Sequence, residues 1–465
     1  MEKDPDDELA KEIQGFDKEL ISLVKSGFKP LFVRNPHATI YQVIPRNIFD
    51  AKPRVFLPRS VWLGLNWSTD SIYPKEAIDN LHISAHMHSI LSRNPNISFE
   101  DYIRAMNAMR EEIKACHFNV VTVDLPNLIS VVLSCCHILD VLILFHEGRL
   151  TPQVDQICSS GIQTLWVDFL LVKNQVPFFA LQRIYDMLIL DKSQYPPLVN
   201  LCLGFFEHFL DVNYKQTPPL DSKSIYHLLH LVHYHLVPSN NPPKTRGLIG
   251  FLFDKTKSLT FSRPPPQLPI FVSPPVEHLT METIPSARRL QEAGIRFRKK
   301  KTPGFSNITF RRGVLEIPFL RLDSNTETLL RNFTAWEQFH FTVGAYFTSY
   351  AIFMDYIINA VEDVQILNRE GILEQTLGSE EQVASLFNGL SSNLVYIGEK
   401  DGFLPHLSKE LNRYCRNRFN LWRAKLMVDY FSSPWATISI IAAIFLLLMT
   451  ATQTFFSTYS YYRPH

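Results

Sequence analysis

The chain has 465 residues, 46% hydrophobic and 20% charged, a balance that supports a packed core and excludes a largely disordered protein. Its 46 basic and 45 acidic residues leave a net charge of +1, which argues against a nucleic-acid binder. Six cysteines (Cys116, Cys135, Cys136, Cys158, Cys202 and Cys415) are too sparse for a secreted disulfide framework, and none are spaced as a metal knuckle, so they read as reduced and mostly buried.

Residues 1–30 are acidic at the start and carry Leu9, Ile13, Phe16, Leu20, Leu23 and Val24 at helical spacing. That pattern predicts an amphipathic helix and lacks the basic start and apolar run of a secretory leader. Residues 31–75, rich in proline and aromatics, read as extended or irregular. Helical patterns then dominate from Ala77 to Val237, including Tyr102–His117, Leu125–Phe145 and Ile162–Leu171, with Pro177 interrupting or starting a helix. Leu125–Phe145 is apolar enough to suggest a membrane span. However, Pro126, Asn127, His137 and Asp140 lie inside it, and the better reading is a buried helix of the folded body.

Nine of the 30 prolines fall between Pro238 and Pro275, which predicts a linker over 238–275. Beyond it, Ser286 is placed to cap a short helix with Ala287, Leu290 and Ala293 on its apolar face, ended by Gly294. The run Arg296, Arg298, Lys299, Lys300 and Lys301 reads as a solvated loop able to contact anionic lipid or an acidic partner. Ile308 and Phe310, then Arg311-Arg312-Gly313, then Leu315 and Ile317 predict a β-hairpin closed by Pro318. Helices resume near Thr326, and Ser379 with Gln382 predicts a capping box. Asn-x-Ser/Thr triplets at Asn66, Asn96, Asn307 and Asn332 match chance and carry no weight as glycan sites.

No residue from Tyr430 to Tyr462 carries a full charge, and Ile438–Met449 is almost wholly aliphatic. Residues 435–456 match a bilayer core of about 30 Å, with Trp435 at one end and Tyr459, Tyr461 and Tyr462 near the other. This predicts a single membrane-spanning helix that inserts after synthesis. Arg413, Arg416, Arg418, Arg423 and Lys425 precede it and Arg463 follows, which places the N-terminal bulk in the cytosol. The fold expectation is therefore mainly α with a small β-hairpin element and one C-terminal transmembrane helix. Its parts are 1–30, a helical half 31–237, the linker 238–275, a second half 276–429 of the same domain, the helix 435–456 and a tail 457–465.

No phosphate-binding glycine loop, nucleophile elbow or zinc-protease pair occurs. Two histidine groups stand out. His82 and His86 lie four apart, with His88 beside them, while His227, His230, His233 and His235 fall at helical angles of about 0°, 300°, 240° and 80°. Zinc needs converging imidazoles, and the simpler reading is surface or satisfied core histidines. Asp168, Asn174 and Gln175 are polar in an apolar stretch and read as partners for free backbone groups before Pro177. Glu337 and Gln338, beside Trp336, read the same way. No catalytic, cofactor-binding or metal residue is assigned.

Several strings resemble the plant family called domain of unknown function 247 (DUF247). They are Ile40-Tyr41-Gln42-Val43, the run from Asp168 through Asn174-Gln175-Val176-Pro177 to Phe179, Pro285-Ser286-Ala287 with Glu292-Ala293-Gly294, and Gly313 to Pro318. Others are Thr326-Glu327 leading to Arg331-Asn332 and Ala335-Trp336-Glu337-Gln338, and Tyr430 to Ala436 running on to Thr454. In this order they cover roughly 40–462. Two departures mark a diverged member: Trp62-Leu63-Gly64-Leu65-Asn66-Trp67 replaces a segment where the family carries paired histidines, and Lys173 stands where glutamate is usual. The resemblance implies a helical protein with a terminal membrane helix and no established catalysis, and some grass members are similar to self-incompatibility determinants. The expected function is a membrane-anchored interaction or signalling protein. Its partners would be the bilayer, through 435–456, and an unidentified protein. The alternative is an enzyme whose site one sequence does not reveal.

Overall fold

The computed structural model describes residues 38–41, 52–65, 80–118, 122–150, 162–189, 193–210, 221–237, 282–300, 307–340, 343–376, 378–392, 394, 403–417, 422 and 434–462. The predicted helix within 1–30, the linker 238–275 and Cys158 lie outside them. The described residues are mainly helical, with two small sheets.

The first half is built around α4 (Leu125–His146). Asp124 caps its N-terminus by accepting from Asn127 N–H at 3.0 Å, and Pro126 occupies the first turn, where no N–H partner is needed. The apolar residues fall on every side of the helix, so it is packed all round. Its neighbours are α1 (Asn80–Arg93), α2 (Phe99–Ala108), α6 (Phe178–Leu188) and α7 (Leu198–Leu210). The predicted helix from Tyr102 to His117 is broken at Met109, so that α3 (Arg110–Cys116) sets off separately. α5 (Ile162–Asp168) precedes the turn to Pro177, which starts α6. α8 (Leu228–Leu236) ends this half.

The second half begins with α9 (Ala287–Glu292). Ser286 precedes it as expected, but its side chain makes no cap bond; instead Asp363 accepts from Arg288 N–H at 2.8 Å. Gly294 ends α9 with a left-handed φ of +85°. Strand β1 (Arg296–Lys300) follows, where the sequence suggests a loop. It pairs in parallel with β3 (Val314–Pro318), which is antiparallel to β2 (Thr309–Arg311) in the predicted hairpin. A second sheet pairs β4 (Leu320–Leu322) in parallel with β5 (Leu373–Gln375). Between these come α10 (Thr326–Phe339), α11 (Tyr346–Ile357) and α12 (Val361–Arg369), and after them α13 (Glu380–Leu390) and α14 (Phe403–Arg416). Ser379 caps α13 through Gln382 N–H.

Buried side chains from both halves form one hydrophobic cluster, running from Phe56 through Phe169 and Trp336 to Leu411. The last helix, α15 (Pro434–Tyr462), extends beyond the expected 435–456 and differs from all others. Both α4 and α15 are long and apolar enough to cross a membrane by length and composition. Leu125–His146 has a mean hydropathy of 2.5 and is 78% buried in protein, whereas Ile438–Tyr459 has 2.0 and is 0% buried.

Candidate functional site

The polar residues that the sequence singles out collect at the junction of the two halves. Asp168, at the end of α5, is fully buried, and its carboxylate accepts from the backbone N–H groups of Arg59, Ser60 and Val61 at 2.6–3.1 Å. Burial pushes this carboxyl up to about 6, and the three amide donors offset only part of that rise. Asn174 accepts from Leu63 N–H at 2.7 Å and donates to Val61 O and Asp168 O. Gln175 donates to Phe169 O and Leu171 O and accepts from Leu229 N–H at the start of α8. Together they fasten the irregular segment 59–65 to the turn before Pro177.

Gly64 lies inside this brace. Its N–H donates to Ser134 Oγ and its carbonyl accepts from Ser130 Oγ, both on α4. Its φ is +78°, and a Cβ there would lie 2.7 Å from Gln175 O. The position therefore requires glycine twice over. Asn332 on α10 joins the halves: it accepts from Val172 N–H at 2.9 Å and donates to Val55 O at 2.8 Å.

Beside the brace lies a cluster of imidazoles around Trp336. His227, His230, His233 and His235 are all buried, although their helical angles suggest a spread around α8. Ring centroids of His227, His230, His233 and His340 lie 4.9–5.6 Å from that of Trp336. His227 caps α8: its Nδ1 accepts from His230 N–H, which fixes the tautomer so that Nε2–H donates to Thr39 O at 3.1 Å. His230 Nδ1 accepts from Tyr226 N–H. Burial lowers His227 to about 3, His117 and His340 to about 4, and His230 well below the ordinary value. His233 Nε2 sits 2.8 Å from Glu337 Oε1. Glu337 also accepts from Phe347 N–H, Thr348 N–H and Thr348 Oγ1, and so caps α11 from another helix.

The first histidine group does not converge. His86 Nδ1 pairs with Asp140 of α4 at 2.7 Å and is buried, while His88 is exposed. Asp140 also accepts from Ser89 Oγ, and Arg93 beside it forms a 2.7 Å ion pair with Glu147. Among the described residues no three His, Cys, Asp or Glu side chains gather as a metal site. A cleft of about 660 Å³ opens between α9 and α14, but its Glu282 and Arg416 are paired with each other at 3.5 Å. Each singled-out carboxylate or amide thus holds backbone or a neighbouring side chain, and the arrangement's chemistry is positional. Sequence reading found Asp168, Asn174, Gln175 and Glu337. It missed Gly64, Asn332 and the stretch 59–63, whose partners lie more than a hundred residues away in most cases.

A family profile described as DUF247, plant protein of unknown function, matches residues 40–449. The chain is 30% identical over 380 residues to UPF0481 protein At3g47200 of Arabidopsis thaliana, covering 78% of this chain and 73% of that protein. It is 34% identical over 189 residues to a second UPF0481 protein of the same plant, At3g02645, covering 40% and 35%. No solved structure matches the chain.

Proposed function

Since this chain belongs to the DUF247 family of plant proteins of unknown function, we propose that it is a membrane-anchored, non-enzymatic interaction or signalling component. In this reading α15 crosses the bilayer and the folded body stands on the cytosolic side.

The observation that carries the anchor is the surface of α15. Ile438, Ile441, Ile444, Phe445, Leu447 and Leu448 are each more than half exposed, with Leu447 at 71%. A contiguous apolar surface of this size is unstable in water and belongs in lipid or against a partner. Trp435 at 79% and Tyr462 at 77% exposure stand at its two ends, as interfacial aromatics do. The backbone is satisfied internally along the helix, and Thr450, Thr452, Thr454 and Thr458 return their hydroxyls to carbonyls four residues back.

Two features support the non-enzymatic part. The buried carboxylates Asp168, in the brace, and Glu337, beside it, have their oxygens engaged by protein donors. The imidazoles around Trp336 are enclosed, several with a nitrogen committed to backbone. Recognition of the self-incompatibility type is one form the interaction role can take, with the exposed surface of the body as the reading face. Protease added to sealed vesicles carrying the full chain tests the topology. Digestion of the bulk with survival of α15 is expected, and protection of the bulk would reverse the orientation. Cross-linking in intact membranes, followed by identification of the partners, tests the interaction role. A purified chain that turns over a small molecule with no partner bound would contradict it.

A further inference from the structure

Strand β1 reads Arg-Phe-Arg-Lys-Lys, and Phe297 alone is buried while Arg296 is exposed. The β2–β3 turn places Arg312 at φ +49° and Gly313 at +77°, the two left-handed positions of a tight hairpin turn. Asparagine and glycine are the usual occupants, so an arginine there is conformationally costly. Three elements meet at this turn. Arg296 N–H donates to Gly313 O at 2.9 Å, a Cβ on Gly313 would lie 2.6 Å from Tyr414 Oη of α14, and Phe310 meets the Tyr414 ring at 5.4 Å. The tip of the hairpin, the start of β1 and the last turn of α14 therefore share one patch of surface.

Arg296, Arg311 and Arg312 at or beside the turn, and Arg413 next to Tyr414, are all exposed, and among the described residues none of them is in an ion pair. The neighbouring charges are already engaged. Arg298 lies 3.5 Å from Glu316, Arg416 lies 3.5 Å from Glu282, and Lys300 donates to Asn307 and Thr309. Glu410, one turn before Arg413, is half-buried. Among the described residues, α14 is also the last helix of the body before α15 in the chain. Residues 417–433 span at most about 60 Å even when fully extended, and they carry Arg418, Arg423 and Lys425.

We infer that this arginine cluster docks the folded body on the anionic lipid headgroups of the bilayer that α15 enters. The inference rests on the membrane-anchor reading. Guanidinium groups suit it, because each is permanently charged and presents paired N–H donors to a phosphate. Docking would fix which face of the body looks away from the membrane and is left for partners.

The test uses the full chain reconstituted in sealed vesicles of phosphatidylcholine alone, or with a quarter phosphatidylserine. Exposed arginines are labelled with 4-hydroxyphenylglyoxal and read by mass spectrometry. Arg104 and Arg369, with side chains 77% and 63% exposed, serve as internal controls. Labelling of Arg311, Arg312 and Arg413 is expected to slow about fivefold or more on the anionic vesicles, with the controls unchanged. In 1 M salt, where the screening length is about 3 Å, that protection should vanish. The variant Arg311→Gln/Arg312→Gln, which changes only exposed side chains, should lose protection at Arg413. Equal labelling on both vesicle types, in protein that resists alkaline carbonate, overturns the docking and leaves the anchor standing. Protein stripped by carbonate that still binds anionic vesicles in a salt-sensitive way overturns the anchor and upholds the cluster. Protein that is stripped and does not bind overturns both.

Discussion

Lowering the pH from 7 to 5 should unfold the body through its enclosed histidines. Burial holds His227 near 3 and His117 and His340 near 4, against about 6.5 in an unfolded chain. Their folded-state values are depressed, so their contribution is complete above about pH 6.5 and is lost as the pH falls towards 4 and 3. At pH 5 each costs about 2 kcal/mol, or about 6 kcal/mol together. Asp168 acts oppositely, because its folded value is raised to about 6. Its contribution grows as the pH falls, offsetting about 1.4 kcal/mol at pH 5. The net loss of about 5 kcal/mol matches the whole stability of many domains. The geometry gives the same sign, since a proton on His227 Nδ1 or His230 Nδ1 would face an amide N–H that each now accepts. Urea unfolding of the full chain in detergent, followed by Trp fluorescence and far-ultraviolet circular dichroism at pH 7, 6 and 5, measures this. His340→Phe removes one titrating group and should shrink the loss by about 2 kcal/mol. Stability unchanged within about 1 kcal/mol across that range would refute the reasoning.

Gly64→Ala should cost about 3–5 kcal/mol, because it combines a positive φ with a 2.7 Å approach to Gln175 O. Gly148→Ala, at φ +66° with nothing within 4 Å, should cost only about 1–2 kcal/mol; equal losses in thermal melts would show that the contact does not matter. Asn332→Ala leaves Val172 N–H and Val55 O without their partner, so the urea midpoint should drop by the equivalent of about 2–5 kcal/mol. Proteolysis within residues 238–275 should leave two fragments that co-elute, given the His233–Glu337 and Asn332 links; fragments that separate in native buffer would contradict this.

The parts of the fold that were legible in the sequence are those with local signals. The hairpin announced itself by alternation and a glycine turn, and β2 and β3 lie there with Leu315 and Ile317 buried. α4 was distinguished from a membrane span by Asp140 and His137, and both are buried among neighbouring helices. β1 was hidden because one buried side chain, Phe297, among four cations reads as a solvated loop. β4 and β5 were hidden because three residues each, more than fifty positions apart, carry no local periodicity. Asn174 and Gln175 were readable as backbone partners because buried amides need them. Their recipients at 61–63 and 229 were not, since those lie 54–113 residues away in the chain and come together only as the first half packs. The helical angles of His227 to His235 described one helix correctly, yet α8 is covered on all sides, so exposed and buried faces did not follow from them.

The anchor is tested most directly by alkaline carbonate extraction of the full chain and of Ile444→Arg/Leu447→Arg. Between Ile438 and Leu448 eight Ile, Leu or Phe residues each favour insertion by about 0.3–0.6 kcal/mol. Two central arginines cost about 5–7 kcal/mol on the same scale and remove that gain. The wild type should remain in the membrane pellet, and the double variant should appear in the soluble or aggregated fraction. A wild type washed off by carbonate, or a double variant retained as well as the wild type, would contradict the assignment of α15 as a membrane helix.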